Sequence, residues 1–360
     1  AFFKVRPHLR RWERKSYVKE PPGEEGILDC SLGRNPLGVS ERVLEAAGRF
    51  EWSAICPYPD PFYKELRQRI IQFWADCAEL KTEQVQIADG AIVLLERLNK
   101  LFVDPGSRVL GYSPQFTEYV TEIEASGGIY EAVLLRPEEN FKFRVERILE
   151  RMSQEHRLVY LDNPNNPTGQ FISLEEMEAI ALEAKRKEVA VIVDEAFGDY
   201  LEKEKSAINL VNKYPNLIVV RTFSKAFGLA GLRVGYGVFP LELAPFYRKV
   251  NVPFVISALS CYLAGEALAD QAFIHRCRDI VSREKKRLIE GLRQRGYLIS
   301  ETHDCCPIFL LGCQDETRNL WEELLARGIL TEGGRGFRDL GSNYVRVNTP
   351  SRADDFLSRL

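Results

Sequence analysis

Short apolar runs alternate with helical patterns through the middle of the chain. The runs are rich in Val, Ile, Leu and Tyr, a composition typical of strands that are buried on both faces. Such runs lie at 85–87, 108–112, 158–162, 189–193, 217–221 and 234–239. Between them, apolar residues recur three and four positions apart, as at Leu94, Leu98 and Leu101, and this spacing predicts amphipathic helices. The alternation predicts an α/β fold in which helices cover both faces of a mainly parallel sheet.

The pattern changes after about residue 250. Long charged helices are predicted at 271–295 and 315–327, and short strands at 308–312 and 344–348. A chain of 360 residues also exceeds the size at which one hydrophobic core usually keeps growing, so two unequal domains are expected. The predicted division is an N-terminal arm with part of the small domain at 1–40, a large domain at 41–252 and a small α+β domain at 253–360.

Composition and charge argue against several classes of protein. A formal net charge of −3, with 45% hydrophobic and 28% charged residues, is typical of a globular protein and gives no indication of nucleic-acid binding. The eight cysteines include no CxxC pair and the four histidines form no ligand pattern near them, so reduced thiols and no metal site are expected. No apolar run reaches the roughly 18 residues of a membrane helix. The basic segment from Arg6 to Lys19 is interpreted as a solvated arm, and a cytoplasmic protein without a membrane partner is predicted.

Lys225 lies in a Gly-rich turn directly after the fifth apolar run. Burial at such a place favours the neutral, nucleophilic amine, which can condense with an aldehyde. Thr222, Ser224 and Arg233 are close to it in the sequence and could bind a phosphate, since a guanidinium offers a forked pair of donors to phosphate oxygens. The alternative is a surface lysine in a turn.

Three more segments begin where predicted strands end, which is the edge where open α/β sheets collect ligands. Asp194 follows the fourth run and could pair with the protonated nitrogen of a pyridine ring, although a helix N-cap would also explain it. Asn166 lies in a turn dense in Asn and Pro and could donate to a ring hydroxyl, unless the segment is a plain turn. Gly90 and Ala91 open a predicted helix, where unpaired N–H groups can bind an anion.

Three motifs follow one another in a specific order. They are Asn-Pro-Asn-Asn-Pro-Thr-Gly at 163–169, Asp-Glu-Ala-Phe at 194–197 and Ser-Lys-Ala-Phe-Gly-Leu-Ala-Gly-Leu-Arg at 224–233. With them, the chain resembles the fold type I enzymes that depend on pyridoxal phosphate (PLP), specifically the histidinol-phosphate aminotransferase branch and its relative, threonine-phosphate decarboxylase. The resemblance begins at Asn35 and ends near Val347, and it implies the PLP-dependent transferase fold with PLP bound in the large domain.

The resemblance implies a role for each matching residue. Lys225 would hold PLP as a Schiff base and act as general acid and base, while Asp194 would pair with the pyridine nitrogen. The other implied cofactor contacts are Asn166 at O3′, Phe116 stacked on the ring, and Ser224, Arg233 and the backbone of Gly90 and Ala91 at the phosphate.

Substrate and partner contacts are implied in the same way. Arg346 would clamp an amino-acid carboxylate in a bidentate pair, and Asn35 would contact the substrate. Arg335 would recognise a substrate phosphate if the Gly-rich loop around it folds back. Tyr58 would reach the cofactor phosphate of a neighbouring subunit, which implies a homodimer with active sites shared across the interface.

The chain departs from the family pattern at three positions. Phe197 stands where aminotransferases usually carry Tyr and is more like the decarboxylase branch, whereas the run after Lys225 is more like the aminotransferases. Glu332 stands where relatives usually have an arginine, and its charge would repel a substrate phosphate. Ile92 stands where a hydroxyl residue often helps to hold the cofactor phosphate.

The expected activity is transfer of an amino group between an amino acid or amino-alcohol donor and a 2-oxo acid acceptor. An amino-acid decarboxylase remains a close alternative, because the orientation of the Cα bonds at the cofactor decides which bond breaks. An inactive protein with the same fold is a further alternative. A nucleotide-binding Rossmann protein is disfavoured, since no GxGxxG follows the first predicted strand.

Overall fold

The structure is a computed structural model that describes residues 3–17 and 26–360, so the end of the predicted basic segment, at residues 18 and 19, lies outside it. Within these ranges the strands are β1 Leu28–Asp29, β2 Val85–Ala88, β3 Arg108–Ser113, β4 Ile129–Leu134, β5 His156–Asp162, β6 Ala190–Asp194, β7 Leu217–Thr222, β8 Gly235–Val238, β9 Leu298–Ile299, β10 Ile308–Gly312, β11 Ile329–Leu330, β12 Glu332–Gly333 and β13 Tyr344–Asn348. The helices are α1 Glu41–Gly48, α2 Lys64–Trp74, α3 Ala91–Phe102, α4 Thr117–Ala125, α5 Val145–Arg151, α6 Leu174–Arg186, α7 Ala244–Val250, α8 Ala258–Leu268, α9 Gln271–Gln294, α10 Leu320–Leu325 and α11 Ala353–Leu357.

The main sheet has the strand order β2-β8-β7-β6-β5-β3-β4 in the described part of the chain. Strands β3 to β7 run parallel to their neighbours within that group, whereas β8 is antiparallel to both β7 and β2. All the predicted apolar runs are strands of this sheet, so the expectation of a mainly parallel sheet is confirmed. The edge strand β4 was not predicted, because its ends Ile129 and Leu134 are exposed and it forms no continuous apolar run.

Helices cover both faces of the main sheet, as predicted. Successive side chains of β6 point to opposite faces, because side chains alternate along a strand. Ile192 packs in a cluster with Leu94 and Tyr119 from α3 and α4. Its neighbours Val191 and Val193 belong to the cluster that contains Met177 and Ile180 of α6. The sheet therefore lies between two helical layers. Because β3 to β7 are parallel, their carboxyl ends meet at one edge of it.

A second, antiparallel sheet has the order β12-β13-β10-β9. Its strands β10 and β13 match the predicted 308–312 and 344–348. The predicted helix at 315–327 is wrong in extent, because the Asp315 carboxylate accepts bonds from the N–H and hydroxyl of Thr317 and Asn319 caps the shorter α10. β1 pairs with β11, so residues 28–29 join the C-terminal part of the chain. The domain boundaries stay a prediction.

The N-terminal arm, residues 3–17, lies along α4. Thr121 Oγ1 donates to the Lys15 carbonyl at 2.8 Å, and Arg14 forms ion pairs with Glu118 and Glu122. These contacts bring Tyr17, which is buried, to the carboxyl edge of the main sheet. The arm is thus attached to α4 by these contacts, while most of its residues are exposed to solvent as predicted.

All eight cysteines are free thiols. Over residues 3–17 and 26–360, no helix combines the length and the apolar character needed to cross a membrane.

Candidate active site

A cavity of about 180 Å³ opens at the carboxyl edge of the main sheet. The predicted site residues that line it are Ala91, Phe116, Asn166, Asp194, Thr222, Ser224, Lys225 and Arg233. They come from the ends of different strands and from the helix or turn that follows each one. The parallel arrangement of β5, β6 and β7 is the reason that these distant segments meet.

Lys225 is the amine of the cavity. Burial, followed by the positive charge of Arg346, lowers the pKa of its amine to about 8, against the opposing charge of Asp194. The Nζ atom lies 5.2 Å from the centre of the Phe197 ring. The next residue, Ala226, is held in place because Asn35 Nδ2 donates to its carbonyl at 2.5 Å. Lys225 is therefore a buried, pre-positioned amine and not a surface lysine.

Asp194 ends β6 and is 2% exposed. Burial, and then the negative charge of Asp162, raises the pKa of its carboxyl to about 7. It accepts bonds from the Tyr160 hydroxyl at 3.0 Å and from Ala196 N at 3.1 Å. The 3₁₀ turn that follows begins only after Phe197, so Asp194 is not its N-cap. Its carboxylate can hold a proton at a cationic ring nitrogen.

Arg346 lies beside the cavity and is held by two acceptors. Its Nη1 donates to Asn166 Oδ1 at 2.9 Å, and its Nη2 donates to the Ser31 carbonyl at 2.7 Å. Among the described residues its buried Nε has no hydrogen-bond partner. Because Asn166 uses its oxygen for Arg346, the NH₂ end of the amide is the end that can donate into the cavity.

The opposite end of the cavity is suited to an anion. Gly90 stands at the N-cap of α3 with φ 101°, and no side chain caps the helix there. The φ of Gly90 is one that other residues rarely adopt, and a Cβ atom there would clash with the Arg233 guanidinium unless that flexible side chain shifted. Arg233 Nη1 in turn lies 3.4 Å from Ser224 Oγ. An uncapped helix start beside an arginine and a serine fits a phosphate group.

Some predicted residues lie outside this cavity. Asn35 has its amide engaged by Ala226 and Leu37, so it braces the lysine turn rather than reaching the expected substrate position. Arg335 is exposed and lines a neighbouring cavity of about 560 Å³ beyond Phe337. Tyr58 is 83% exposed, where it can meet another subunit. The family resemblance implied a substrate contact for Asn35, but a motif does not record the direction of a side chain.

Two residues of the cavity wall that carry polar side chains were not predicted as site residues. Tyr17 stacks on Phe337 with ring centres 5.4 Å apart and lies over the guanidinium of Arg346 at 5.0 Å. Only its place at the end of the basic arm marked it in the sequence. Asp162 belongs to the predicted Asn- and Pro-rich turn, but no role was inferred for it. The feature that could have identified Asp162 is its position at the end of β5, which matches the position of Asp194 at the end of β6.

Glu332 is buried on β12, and its register partner across the antiparallel pair is Arg346. Neighbouring residues of such a pair project from the same face, so its carboxylate adds negative charge beside the arginine. Over the described ranges no group of three or more His, Cys, Asp or Glu side chains is placed to hold a metal ion.

Known proteins resemble this chain in both sequence and structure. The family model for aminotransferase class I and II matches residues 25–360. Histidinol-phosphate aminotransferase from Halorubrum lacusprofundi is 31% identical over 91% of this chain and 86% of its own length. A putative threonine-phosphate decarboxylase from Caldanaerobacter subterraneus is 30% identical over 89% of this chain and 85% of its own. The crystal structure of histidinol-phosphate aminotransferase from Sinorhizobium meliloti in complex with PLP superposes with a TM-score of 0.84 at 22% identity, covering 99% of this chain and 96% of that one.

Proposed function

Since this chain belongs to the class I and II aminotransferases, we propose that it moves an amino group between an amino acid or amino-alcohol donor and a 2-oxo acid through Lys225. The chain is a PLP-dependent aminotransferase. The observation that carries the residue assignment is that a buried amine, a buried carboxylate and an uncapped helix start with its arginine open on one cavity.

When bound, PLP supplies an aldehyde that reacts with amines and a ring that takes up the electron pair of a broken Cα bond. Lys225 would carry the cofactor and, once displaced by the donor, move a proton from the donor's Cα, since a pKa of about 8 leaves part of the amine unprotonated near neutral pH. Asp194 would hold a proton at the ring nitrogen. Asn166 would donate to the ring oxygen, and Phe116 would cover one face of the ring.

Arg233, Ser224 and the first N–H groups of α3 would bind the cofactor phosphate. Ile92, which follows Ala91 in the cavity wall, offers no hydroxyl to this phosphate. The phosphate contacts proposed on this side are therefore the Arg233 guanidinium, the Ser224 hydroxyl and the helix start. At the other end, Arg346 would bind a substrate carboxylate, and this role is supported by its unpartnered Nε.

Glu332 argues against a second anionic group on the donor. Its carboxylate is buried next to the proposed carboxylate-binding Arg346, where the low dielectric strengthens repulsion of a phosphate. Arg335, the proposed phosphate contact, lines the neighbouring cavity, so it would need to move inward to compensate. We propose a donor without a phosphate as the preferred class.

A decarboxylase is the second candidate. One relative is named a putative threonine-phosphate decarboxylase. Phe197 favours this candidate, because its ring stands against the Lys225 amine where a tyrosine would add a hydroxyl donor. Transamination is favoured over it by the several relatives named as aminotransferases.

An assay that follows both products separates these candidates. The holoenzyme is incubated with a panel of amino donors, each with and without a phosphate, and with 2-oxoglutarate as acceptor. We expect glutamate and the oxo product to form in equal amounts without carbon dioxide, with a higher kcat/KM for each donor that lacks a phosphate. Carbon dioxide release without an oxo product would establish the decarboxylase instead. A higher kcat/KM for the phosphorylated donors would refute the role given to Glu332.

We also propose that the enzyme is a homodimer whose subunits share their active sites. Large apolar side chains are exposed at Trp52, Ile55, Tyr58 and Phe62, and the Tyr58 ring lies 5.0 Å from that of Phe254. An exposed apolar surface of this kind is typical of an interface. Sedimentation equilibrium should give twice the chain mass of 41.2 kDa.

Subunit mixing tests the shared site directly. Lys225→Ala and Tyr58→Ala variants should each be weakly active, but after mixing and exchange the hybrid has one site with both residues intact. About a quarter of the wild-type activity should then return, as random pairing in a twofold dimer requires. A monomer in solution, or no recovery in hybrids shown to have formed, would contradict the proposal.

A further inference from the structure

Asp162 is a second buried carboxylate at the cofactor site. It ends β5, and its register partner across the parallel pair is Asp194 at the end of β6. The two strands are joined at this point by a bond from Asn163 N to the Asp194 carbonyl at 2.8 Å. Residues in register on neighbouring strands project to the same face, and both carboxylates line the cavity at 3% and 2% exposure.

Four donors converge on the Asp162 carboxylate. Oδ1 accepts from Gln115 Nε2 at 3.0 Å and from Asn165 Nδ2 at 3.1 Å. Oδ2 accepts from Asn166 N at 2.9 Å and from Phe116 N at 3.3 Å. A protonated carboxyl group would have to give its own proton to an acceptor, whereas all four partners are donors. The arrangement fits an ionised carboxylate.

These bonds connect two segments that are about fifty residues apart in the chain. Phe116 begins the turn into α4, and Asn166 lies in the turn after β5. Each is held through its backbone N–H, so the carboxylate fixes the path of the chain at both residues. The side chains of Phe116 and Asn166 then enter the cavity from fixed points.

We propose that Asp162 is a positioning residue that locks Phe116 and Asn166 around the cofactor ring and places a negative charge behind Asp194. The proposal rests on the function proposed above, because it assumes a ring between these side chains. A negative charge in a buried site favours a positive charge close to it. Here the positive charge would be the protonated ring nitrogen that pairs with Asp194. The same charge therefore helps Asp194 to keep the ring nitrogen cationic.

The test is Asp162→Asn, which keeps the shape of the side chain but removes its charge and turns one acceptor into a donor facing other donors. Its matched control is Glu284→Gln, which removes another buried carboxylate that accepts a backbone N–H, from Ala353, but lies on α9 outside the cavity. For each holoenzyme we would measure the dissociation constants of PLP and pyridoxamine phosphate, the visible circular dichroism of the bound cofactor, and the thermal unfolding of the cofactor-free protein.

Asp162→Asn should weaken cofactor binding about tenfold to a hundredfold, the range expected for losing hydrogen bonds to a charged group. It should also change the visible circular dichroism, since the ring is less firmly oriented. Glu284→Gln should alter neither, although both variants lower the unfolding temperature. Wild-type dissociation constants and dichroism in Asp162→Asn would reduce Asp162 to a structural residue and overturn the proposal.

A second variant covers the case in which Asp162→Asn does not fold. Gln115→Met keeps the carboxylate but removes one of its donors, and Gln115 itself does not line the cavity. We expect a smaller loss of cofactor affinity, about threefold, with a change of dichroism in the same direction. Unchanged values would again overturn the proposal. If the wild-type protein binds no PLP at all, the proposed function fails first, and that result is distinct from a normal wild type with an unaffected variant.

Discussion

Lys225→Ala should eliminate covalent attachment of PLP and lower the rate of amino transfer by about a thousandfold or more, because it removes both the attaching amine and the group that moves the proton. The variant should still bind PLP non-covalently, since Arg233, Ser224 and the start of α3 are unchanged. Borohydride reduction of the wild-type holoenzyme followed by peptide mapping should find the modified lysine in the peptide that contains residue 225.

Lys285 provides a matched control for this experiment. It is also buried, and burial lowers the pKa of its amine to about 8. Its Nζ donates to Thr302 Oγ1 and to the carbonyls of His303, Cys306 and Ile308 at 2.6 to 3.0 Å. Lys285→Met should therefore lower stability but leave PLP attachment intact. Attachment that persists in Lys225→Ala, or modification at Lys285, would refute the assignment of the lysine.

Asp194→Asn should cause the next largest loss, about a hundredfold to a thousandfold in kcat, because an amide cannot hold a cationic ring nitrogen as a carboxylate does. PLP should stay attached to Lys225, so the defect is separable from loss of the cofactor. The absorbance of the bound cofactor should shift, and kcat should fall more than KM rises. A wild-type kcat in this variant would show that Asp194 has no catalytic role.

The cofactor-free protein gives an independent check on Asp194. Burial and the charge of Asp162 raise the pKa of the carboxyl from 3.8 to about 7. Between these values the native state keeps a proton that the unfolded state has released, so this residue makes the free energy of unfolding fall as the pH rises from about 4 to about 7. Asp194→Asn should reduce that fall in denaturant titrations, whereas the Glu284→Gln control should not.

Much of the fold was predictable because the strands are local features. β5, β6 and β7 are buried on both faces, so each is recognisable as a continuous apolar run, and the residue that follows it falls at the carboxyl edge. The half-exposed β4 and the shortened α10 were missed or misplaced for the opposite reason. Their bounds depend on an exposed edge, on the turn that Asp315 forms with Thr317 and on the cap by Asn319, which hydrophobic spacing does not record.

The aminotransferase family and the fold predicted from the motifs are confirmed by the comparisons, and the cofactor and the activity are proposed from them. The roles of individual residues stay predictions until the variants are measured. Most of the predicted residues converge on the cavity, while Asn35 and Arg335 point elsewhere. A motif reports which residues come near the lysine, but the direction of each side chain depends on its packing.

The sequence by itself determined the alternating strands and helices and the chemical groups at the strand ends, including Lys225 in its Gly-rich turn. Tertiary structure alone decided how those groups are held. Arg346 reaches Asn166 across 180 residues and Ser31 across 315, and the arm that carries Tyr17 is fixed by Thr121, 106 residues from its partner Lys15. The physical reason is that local spacing sets periodicity and burial, whereas contacts between distant segments exist only once the sheet and the two helical layers have packed.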